Sequence, residues 1–183
     1  RRPLRSDQAG AEMIAVFPFG NLRSLVNALR HLAIDHRVLM EPNEFAEADK
    51  LILPGVGHFG AYVTMLEPYR DVLDRFCKPV LGICAGMHVM AEGSEEEPGV
   101  AGLGWLKGTC HRIKARRVPR MGWDEVHSRH PVVGNGVAYF AHSFTLGADV
   151  ASGEGHALGV QFHPEKSQSF GLGVLKRFAE WQP

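Results

Sequence analysis

The sequence of 183 residues is long enough to form one domain of ordinary size, and its hydrophobic content of 45% is typical of a chain that buries a substantial core. Twenty lysine and arginine residues balance twenty aspartate and glutamate residues, so the formal net charge is zero. This balance argues against a general nucleic-acid binder and against a protein held on an anionic membrane surface. We therefore expect no nucleic-acid partner and no membrane association.

The N-terminal residues and the cysteines bear on the compartment. Residues 1–12 begin with the basic and polar segment RRPLRSDQ, which predicts a disordered leader, and residues 13–183 are predicted to form a single domain. The apolar run at residues 13–17 is too short for a signal-peptide core or a membrane span. The three cysteines are widely spaced and lack any CxxC or Cys/His ligand spacing, which disfavours structural zinc. We predict a cytoplasmic protein without a metal site or a cofactor.

Short apolar runs alternate with segments of helical period in the first half of the chain. This alternation predicts βαβ units wound into a largely parallel sheet. The predicted strands cover residues 13–17, 36–40, 50–54 and 79–83. A first helix is predicted after Asn21, which stands at the position of an N-terminal cap. A second helix is predicted over residues 59–76, bent or broken at Pro68.

The second half of the chain has a different pattern. From Gly99 onward, short β-like pieces are separated by glycines, which predicts antiparallel or mixed strand pairing. The predicted strands cover residues 109–113, 122–126, 136–141 and 157–165, and a predicted helix over residues 172–181 closes the chain. The acidic run EGSEEE at residues 92–97 is predicted to be a solvated surface loop, or one that faces a partner. Together the two halves predict one α/β domain with a mixed central sheet flanked by helices.

The segment Gly82-Ile83-Cys84-Ala85-Gly86 has the form G-x-C-x-G between a predicted strand and a predicted helix. This is the thiol version of the nucleophile elbow, in which a sharp turn exposes a reactive side chain above the edge of a sheet. At a helix N-terminus the partial positive charge would favour the thiolate form of Cys84. From the elbow alone, a nucleophile and a buried cysteine in a glycine-rich turn remain equally open.

Ten histidines compete as the base for such a nucleophile. The segment GVQFHPE narrows the choice, because residues two apart in an extended strand project to the same side, which places His163 and Glu165 together. A carboxylate beside an imidazole fixes the tautomer and stabilises the imidazolium that forms when the ring takes a thiol proton. We therefore predict Cys84, His163 and Glu165 as nucleophile, base and orienting carboxylate. For the His-Pro-Glu tripeptide alone, an exposed turn is the simpler alternative.

With these motifs the chain resembles the class I, or triad-type, glutamine amidotransferases, whose single-domain α/β fold is flavodoxin-like. Within that class it is most similar to the glutaminase subunit of imidazole glycerol phosphate synthase, in histidine biosynthesis. The narrower resemblance rests on segments that follow the family's order, namely GNLRS (20–24), PGVGHFG (54–60), EGSEE (92–96), GLGW (102–105), VPRMGW (118–123), YFAHS (139–143) and HPEKS (163–167). The resemblance implies an enzyme that hydrolyses L-glutamine to glutamate and ammonia through a thioester on Cys84.

The resemblance also assigns roles to further residues. The tetrahedral oxyanion of this reaction needs backbone donors. The elbow supplies the Ala85 N–H, and the resemblance implies the amide of Val56 or Gly57 as the second donor. The substrate contacts that the resemblance implies are Gly55, His88, Glu92, His142 and Ser143. For the PGVG segment, an ordinary turn after a strand is the alternative.

Ammonia becomes ammonium in neutral water and is then no nucleophile, so its release to solvent would waste it. The resemblance accordingly implies a heterodimer with a (βα)8-barrel cyclase subunit that receives ammonia through a channel. Candidate residues of the docking face are Asn21, Trp123, Tyr139 and Lys166. Core packing of the two aromatic residues and a solvated charge on Lys166 are the alternatives.

Several positions depart from the family pattern. His88 stands where the family usually has Gln, VFPFGN (16–21) replaces Asp-Tyr-Gly before GN, and Phe144 replaces Tyr. The segment 145–158 is short where the family normally has an extra strand pair. Two alternative functions therefore stay open. One is the glutaminase subunit of a different ammonia-consuming synthase, and the other is a catalytically impaired, glutaminase-like binding subunit.

Overall fold

The computed structural model describes residues 12–153 and 156–183, so only Glu12 of the predicted leader is described. The strands are β1 (Ile14–Val16), β2 (His36–Val38), β3 (Lys50–Leu53), β4 (Val80–Ile83), β5 (Gly93–Ser94), β6 (Thr109–Arg112), β7 (Arg120–Val126), β8 (Gly136–His142), β9 (Phe144–Thr145), β10 (Val150–Ser152) and β11 (Ala157–Val160). The α-helices are α1 (Leu22–His31), α2 (Phe59–Leu66), α3 (Arg70–Leu73), α4 (Ala85–Met90) and α5 (Gln168–Glu180). Short 3-10 helices cover Pro42–Glu47, Glu67–Tyr69 and Pro164–Lys166.

The largest sheet has six strands in the order β10-β11-β4-β3-β1-β2. Neighbouring strands run parallel except at one edge, where β10 pairs antiparallel with β11. Every residue of β1, β3, β4 and β11 is buried, as expected of parallel strands that are covered on both faces. The carboxyl ends of these strands meet at one edge of the sheet, where a site can form between the loops that follow them.

Two apolar clusters cover the two faces of this sheet. Leu51 of β3 contributes to the cluster that contains Tyr62 of α2 and Met87 of α4. Its neighbour Ile52 points to the other face and belongs to the cluster that contains Leu25 of α1 and residues of α5. Helices therefore pack on both faces of a mixed sheet, and the predicted α/β architecture is confirmed.

The second half of the chain adds two small sheets. β7 and β8 pair antiparallel from Arg120 opposite His142 to Val126 opposite Gly136. β5, β6 and β9 form a three-stranded sheet in which β6 pairs parallel with β5 and antiparallel with β9. The prediction of antiparallel or mixed pairing in this half is therefore confirmed.

The predicted strand over residues 157–165 is too long. β11 ends at Val160, and the backbone then turns to other partners, because the His163 N–H donates to the Tyr139 carbonyl oxygen at 2.9 Å. Pro164 opens a 3-10 helix, for which its fixed φ is suited. His163 and Glu165 therefore lie on a turn. The prediction that a strand brings the two side chains together is wrong, although the side chains do meet.

The two helix predictions in the first half have different outcomes. The predicted helix over residues 59–76 is broken near Pro68, as expected, because a 3-10 turn separates α2 from α3. Asn21 does precede α1, but its side chain makes no capping hydrogen bond. Its Nδ2 instead donates to Ser24 Oγ at 3.3 Å, so the predicted side-chain cap is wrong.

The helices are short. The longest one that the structure describes, α5, has 13 residues. A helix that crosses a bilayer needs about 20 mostly apolar residues. Within the described ranges, no helix has the length and apolar character to span a membrane.

Candidate active site

Cys84 forms a one-residue turn between β4 and α4. Its backbone has φ 49° and ψ −106°, a conformation that residues other than glycine rarely adopt. Close packing holds this turn, because a Cβ added to Gly86 would lie 1.9 Å from the Leu53 carbonyl oxygen. The Cys84 N–H also donates to the Val160 carbonyl oxygen at 2.8 Å, which ties the turn to β11. The strained turn expected of the G-x-C-x-G segment is present.

The turn after β11 connects His163 and Glu165 to Cys84. The His163 Nδ1–H donates to Glu165 Oε1 at 2.9 Å, and the Cys84 side chain lies close enough to the ring to raise its pKa. The Ser167 hydroxyl donates to the His163 carbonyl oxygen at 2.6 Å and accepts from the Tyr139 N–H at 2.9 Å. The three predicted triad residues thus lie together, and Ser167 fixes the turn that carries two of them.

The surroundings of His163 keep its ring protonated. Burial opposes a charge on the His163 ring, but hydrogen bonds to Cys84 and Glu165 outweigh it and raise the pKa of His163 to about 9. The ring is therefore mostly protonated at neutral pH, and an adjacent imidazolium stabilises a thiolate. Burial, by contrast, raises the pKa of Cys110 to about 12, so that thiol stays protonated. The Cys84 sulfur therefore lies beside a cationic ring, whereas Cys110 stays a neutral buried thiol.

A cavity of about 230 Å³ opens beside Cys84. Its lining consists of Gly55, Val56, Gly57, Cys84, Ala85, His88, Glu96, Pro119, Met121, Ala141, His142, Ser143 and Phe144. All of the residues predicted for the oxyanion and the substrate lie in this lining except Glu92. Pockets for drug-sized ligands usually measure about 300–1,000 Å³. This cavity is smaller and suits a ligand of the size of a free amino acid.

Glu92, predicted as a substrate contact, does not reach this cavity. It is exposed, and its N–H donates to the Gly108 carbonyl oxygen at 3.0 Å. Glu96, beyond the short strand β5, lines the cavity instead, and its Oε2 accepts a hydrogen bond from the Phe59 N–H at 2.9 Å. The prediction that residues 92–97 form a solvated surface loop is therefore wrong, because β5 lies within this segment and Ser94 is buried. The acidic run is evident in the sequence. Only the fold shows that Glu96 is the carboxylate that binds the start of α2 and faces the cavity.

A second hydrogen-bond chain reaches the Cys84 sulfur through two buried side chains. His88 Nε2 lies 3.0 Å from Gln161 Oε1, and Gln161 Nε2 lies 3.7 Å from Cys84 Sγ. The Cys84 thiol also contacts the Ala141 carbonyl oxygen at 3.8 Å. His88, predicted as a substrate contact, lines the same cavity as Cys84. Sequence reasoning missed Gln161, although it stands two positions before His163 in GVQFHPE.

His142 presents a neutral ring at the cavity. Burial lowers the pKa of His142, so the ring carries a single N–H at neutral pH. The Nδ1–H donates to the Phe144 carbonyl oxygen at 2.8 Å. The buried Nε2 has no hydrogen-bond partner among the residues that the structure describes. His142 therefore keeps one acceptor nitrogen available for a ligand.

The segment predicted to stabilise the oxyanion lies on the cavity wall and contacts the unusual first loop. Gly57 has φ 152°, and a Cβ added there would lie 2.5 Å from Phe19 Cε1. The Phe19 ring in turn stacks on Tyr62 with 3.8 Å between ring centroids. Val56 is half-exposed and lines the cavity with Ala85. The oxyanion role of these backbone amides stays a prediction.

Comparison with known proteins decides the family. The model of the family described as glutamine amidotransferase class-I matches residues 16–180. The chain belongs to this family. The resemblance inferred from the sequence motifs is thereby confirmed.

Curated relatives of this glutamine amidotransferase carry the name imidazole glycerol phosphate synthase subunit HisH. The relative from Thermus thermophilus is 40% identical over 180 residues, which cover 85% of this chain and 90% of the relative. The relative from Zymomonas mobilis is 37% identical over 197 residues, which cover 90% of this chain and 92% of the relative. A crystal structure of a glutamine amidotransferase shares the fold with a TM-score of 0.73 and 20% identity, covering 93% of this chain and 98% of that chain.

Three of the four residues predicted for the partner interface of this glutamine amidotransferase form one group. The rings of Trp123 and Tyr139 meet edge to face with 5.9 Å between centroids, and Lys166 Nζ lies 5.9 Å from the Tyr139 centroid. Trp123 is 49% exposed, which disfavours the core-packing alternative for that residue. Asn21 is exposed at the start of α1, and its interface role, like that of the other three, stays a prediction.

Proposed function

We propose that this glutamine amidotransferase is the glutaminase subunit of an imidazole glycerol phosphate synthase, in histidine biosynthesis. It hydrolyses L-glutamine to glutamate and ammonia and passes the ammonia to a cyclase subunit. The observation that carries this proposal is that Cys84 lies beside the hydrogen-bonded pair of His163 and Glu165, at a cavity of amino-acid size. The names of the relatives from Thermus thermophilus and Zymomonas mobilis support this particular synthase.

The first chemical step releases ammonia. The Cys84 thiolate attacks the side-chain carboxamide carbon of glutamine and forms a tetrahedral intermediate. The His163 imidazolium then gives its Nε2 proton to the departing nitrogen, so ammonia leaves and a γ-glutamyl thioester remains on the sulfur. Glu165 holds Nδ1 of the ring, so Nε2 faces the reacting atoms throughout.

The second step releases glutamate. Neutral His163 takes a proton from a water molecule while the water oxygen attacks the thioester carbon. The second tetrahedral intermediate expels the Cys84 thiolate, and the thiolate and imidazolium pair is restored. Negative charge develops on the same carbonyl oxygen in both steps. The Ala85 N–H and the amide of Val56 or Gly57 are the proposed donors, and one such donor typically accelerates the reaction about 10²–10³-fold.

The cavity lining suits the zwitterionic end of free glutamine. Glu96 supplies a carboxylate for the α-ammonium group, and His142 Nε2 supplies a further acceptor. The carboxamide end then lies beside Cys84. Gly55 and Ser143 also line the cavity and complete the proposed substrate contacts.

The proposed partner is a (βα)8-barrel cyclase, with which the chain forms a heterodimeric synthase that acts as a lyase. The group of exposed Trp123 with the partly buried Tyr139 and Lys166 is the proposed docking face together with Asn21, because aromatic residues are enriched in protein interfaces. The assembly is proposed to work in the cytoplasm, a compartment that suits the exposed free thiol of Cys77.

Activity with and without the cyclase tests this proposal. The mixture is expected to hydrolyse glutamine faster than the isolated chain and to yield the cyclised product. A glutamine-analogue electrophile is expected to label the wild-type chain covalently and to leave the Cys84→Ala variant unlabelled. Stimulation by a different synthase only would favour the first alternative function. Absence of labelling even with the partner bound would favour an impaired binding subunit.

A further inference from the structure

The mechanism above leaves two buried polar side chains beside Cys84 unused. His88 lies one helical turn after the nucleophile, and its N–H donates to the Cys84 carbonyl oxygen at 3.0 Å. Its Nε2 lies 3.0 Å from Gln161 Oε1, and Gln161 Nε2 lies 3.7 Å from Cys84 Sγ. Gln161 is fully buried and His88 is nearly so. Buried polar groups of this kind are retained where their hydrogen bonds are satisfied.

A carboxamide can face the sulfur with either end, and the two ends have opposite effects. The nitrogen end donates an N–H and stabilises a thiolate, whereas the oxygen end repels it. The residue that binds the other end of Gln161 therefore decides which effect Cys84 experiences. A donor at His88 Nε2 binds Gln161 Oε1 and leaves the amide nitrogen for the sulfur.

We propose that His88 is a positioning residue for the nucleophile: its Nε2–H fixes the Gln161 carboxamide so that the amide nitrogen donates to the Cys84 thiolate. The proposal rests on the proposed function only in taking Cys84 as the nucleophile. Gln161 acts directly on the reacting sulfur, and His88 acts through Gln161. A neutral ring with its hydrogen on Nε2 is sufficient for this role.

The surroundings of His88 favour such a neutral ring. Burial lowers the pKa of His88 most strongly, and the neighbouring His142 acts in the same direction. The hydrogen bond to Gln161 and the charge of Glu96 oppose this shift without reversing it. His88 therefore stays a hydrogen-bond donor without placing a second positive charge beside the His163 imidazolium.

The test measures how readily Cys84 ionises, without any substrate. The full chain carrying Cys77→Ser, which removes the exposed thiol, is alkylated with iodoacetamide over a range of pH, and the rate at Cys84 is followed by mass spectrometry. The variants are His88→Leu, Gln161→Leu and the double variant, with His88→Gln as the conservative replacement. Circular dichroism of each variant verifies that it is folded.

Removal of either side chain is expected to raise the midpoint of the alkylation profile by about one pH unit, the effect of one hydrogen bond to a charged group. The double variant is expected to match the single variants, because two residues in one chain of hydrogen bonds are not additive. His88→Gln places a donor amide near the position of Nε2 and is expected to restore the wild-type profile.

Two results would overturn the proposal. One is an unchanged profile for folded His88→Leu, with an altered KM for glutamine in the complex, which would make His88 a substrate contact only. The other is a double variant whose shift equals the sum of the single shifts, which would make the two residues independent. Failure of the proposed function is recognised separately, because it would abolish glutamine hydrolysis while leaving the alkylation profiles as expected.

Discussion

The two walls of the active-site cavity differ in burial. One, the elbow wall, consists of Cys84 on the β4–α4 turn with Ala85 and His88 of α4, and all three are buried. The other, the hairpin wall, includes Met121 on β7, which is 65% exposed. Close packing on the elbow wall holds side chains in one geometry, as a reacting group requires. The hairpin wall instead leaves apolar surface of the kind that a partner covers.

Backbone hydrogen bonds couple the two walls. The His163 N–H donates to the Tyr139 carbonyl oxygen, and the Tyr139 N–H donates to Ser167 Oγ. The Cys84 thiol contacts the Ala141 carbonyl oxygen of the same strand. Both the nucleophile and its base therefore touch β8, whose outer side carries the exposed aromatic group. Changes on the elbow wall should affect the chemistry itself, and changes on the hairpin wall should affect association.

The largest effect is expected for Cys84→Ser. A serine hydroxyl is close in size to the thiol and keeps the turn, but its hydroxyl is far less acidic than a thiol and does not form the anion beside the His163 imidazolium. Glutaminase kcat with the partner bound is expected to fall at least about 10⁴-fold, as when other enzymes lose their nucleophile. The unfolding free energy should change by less than about 1 kcal/mol. Retained activity would show that Cys84 is not the nucleophile.

The next largest effect is expected for Glu165→Gln. The amide can no longer fix the tautomer of His163 or stabilise its charged form, so kcat is expected to fall about 10²–10⁴-fold. KM for glutamine should stay within a factor of about three, because Glu165 lies behind the ring and outside the cavity lining. A change confined to KM would contradict an orienting role.

The pH dependence of stability tests the charge state of His163, the proposed base. The pKa of His163 is raised from 6.5 to about 9, so its contribution to stability is full below pH 6.5 and is lost as pH rises through about 9. The wild type should therefore exceed His163→Gln in unfolding free energy by on the order of 2 kcal/mol near pH 6.5. Urea denaturation of both proteins should show this difference shrinking towards pH 9. A difference that grew with pH would contradict the raised pKa.

A smaller effect on binding is expected for Glu96→Gln. Loss of the carboxylate weakens the proposed contact with the α-ammonium group, so KM for glutamine should rise about 10–100-fold with little change in kcat. The amide oxygen of the introduced Gln side chain can still accept a hydrogen bond from the Phe59 N–H, so the local backbone should keep its conformation. Glu92→Gln is the matched control from the other side of β5 and should leave KM unchanged. An equal rise in both variants would indicate a general charge effect.

The sequence predicted the elbow wall better than the rest, because its signals are local. Glycine spacing around Cys84 and the apolar run before it define the strand, the turn and the helix within a few residues. His163 and Glu165 do lie together, as predicted, but the strand from which this was inferred ends earlier, at Val160. Gln161 and Glu96 could not be found in this way. Their roles depend on which distant segment packs against them, and no local pattern records that contact.

The smallest effect on the stability of the chain is expected for Trp123→Ala. This variant is also the most direct test of the hairpin wall as a binding surface. Because the ring is half-exposed and contacts Tyr139 only at its edge, truncation should lower the unfolding free energy by less than about 1 kcal/mol. Truncation of an interface aromatic residue commonly weakens binding by more than about 1 kcal/mol, so the Kd for the cyclase should rise about tenfold or more.

Met40→Ala is the matched control for Trp123→Ala, because Met40 is also apolar and is 71% exposed, but it lies outside the β7–β8 hairpin. Calorimetric titration with the cyclase should show no change in Kd for this variant. If Trp123→Ala instead destabilised the chain and left the Kd unchanged, the ring would serve packing alone. The cyclase would then bind another surface of the chain, and the hairpin wall would not serve association.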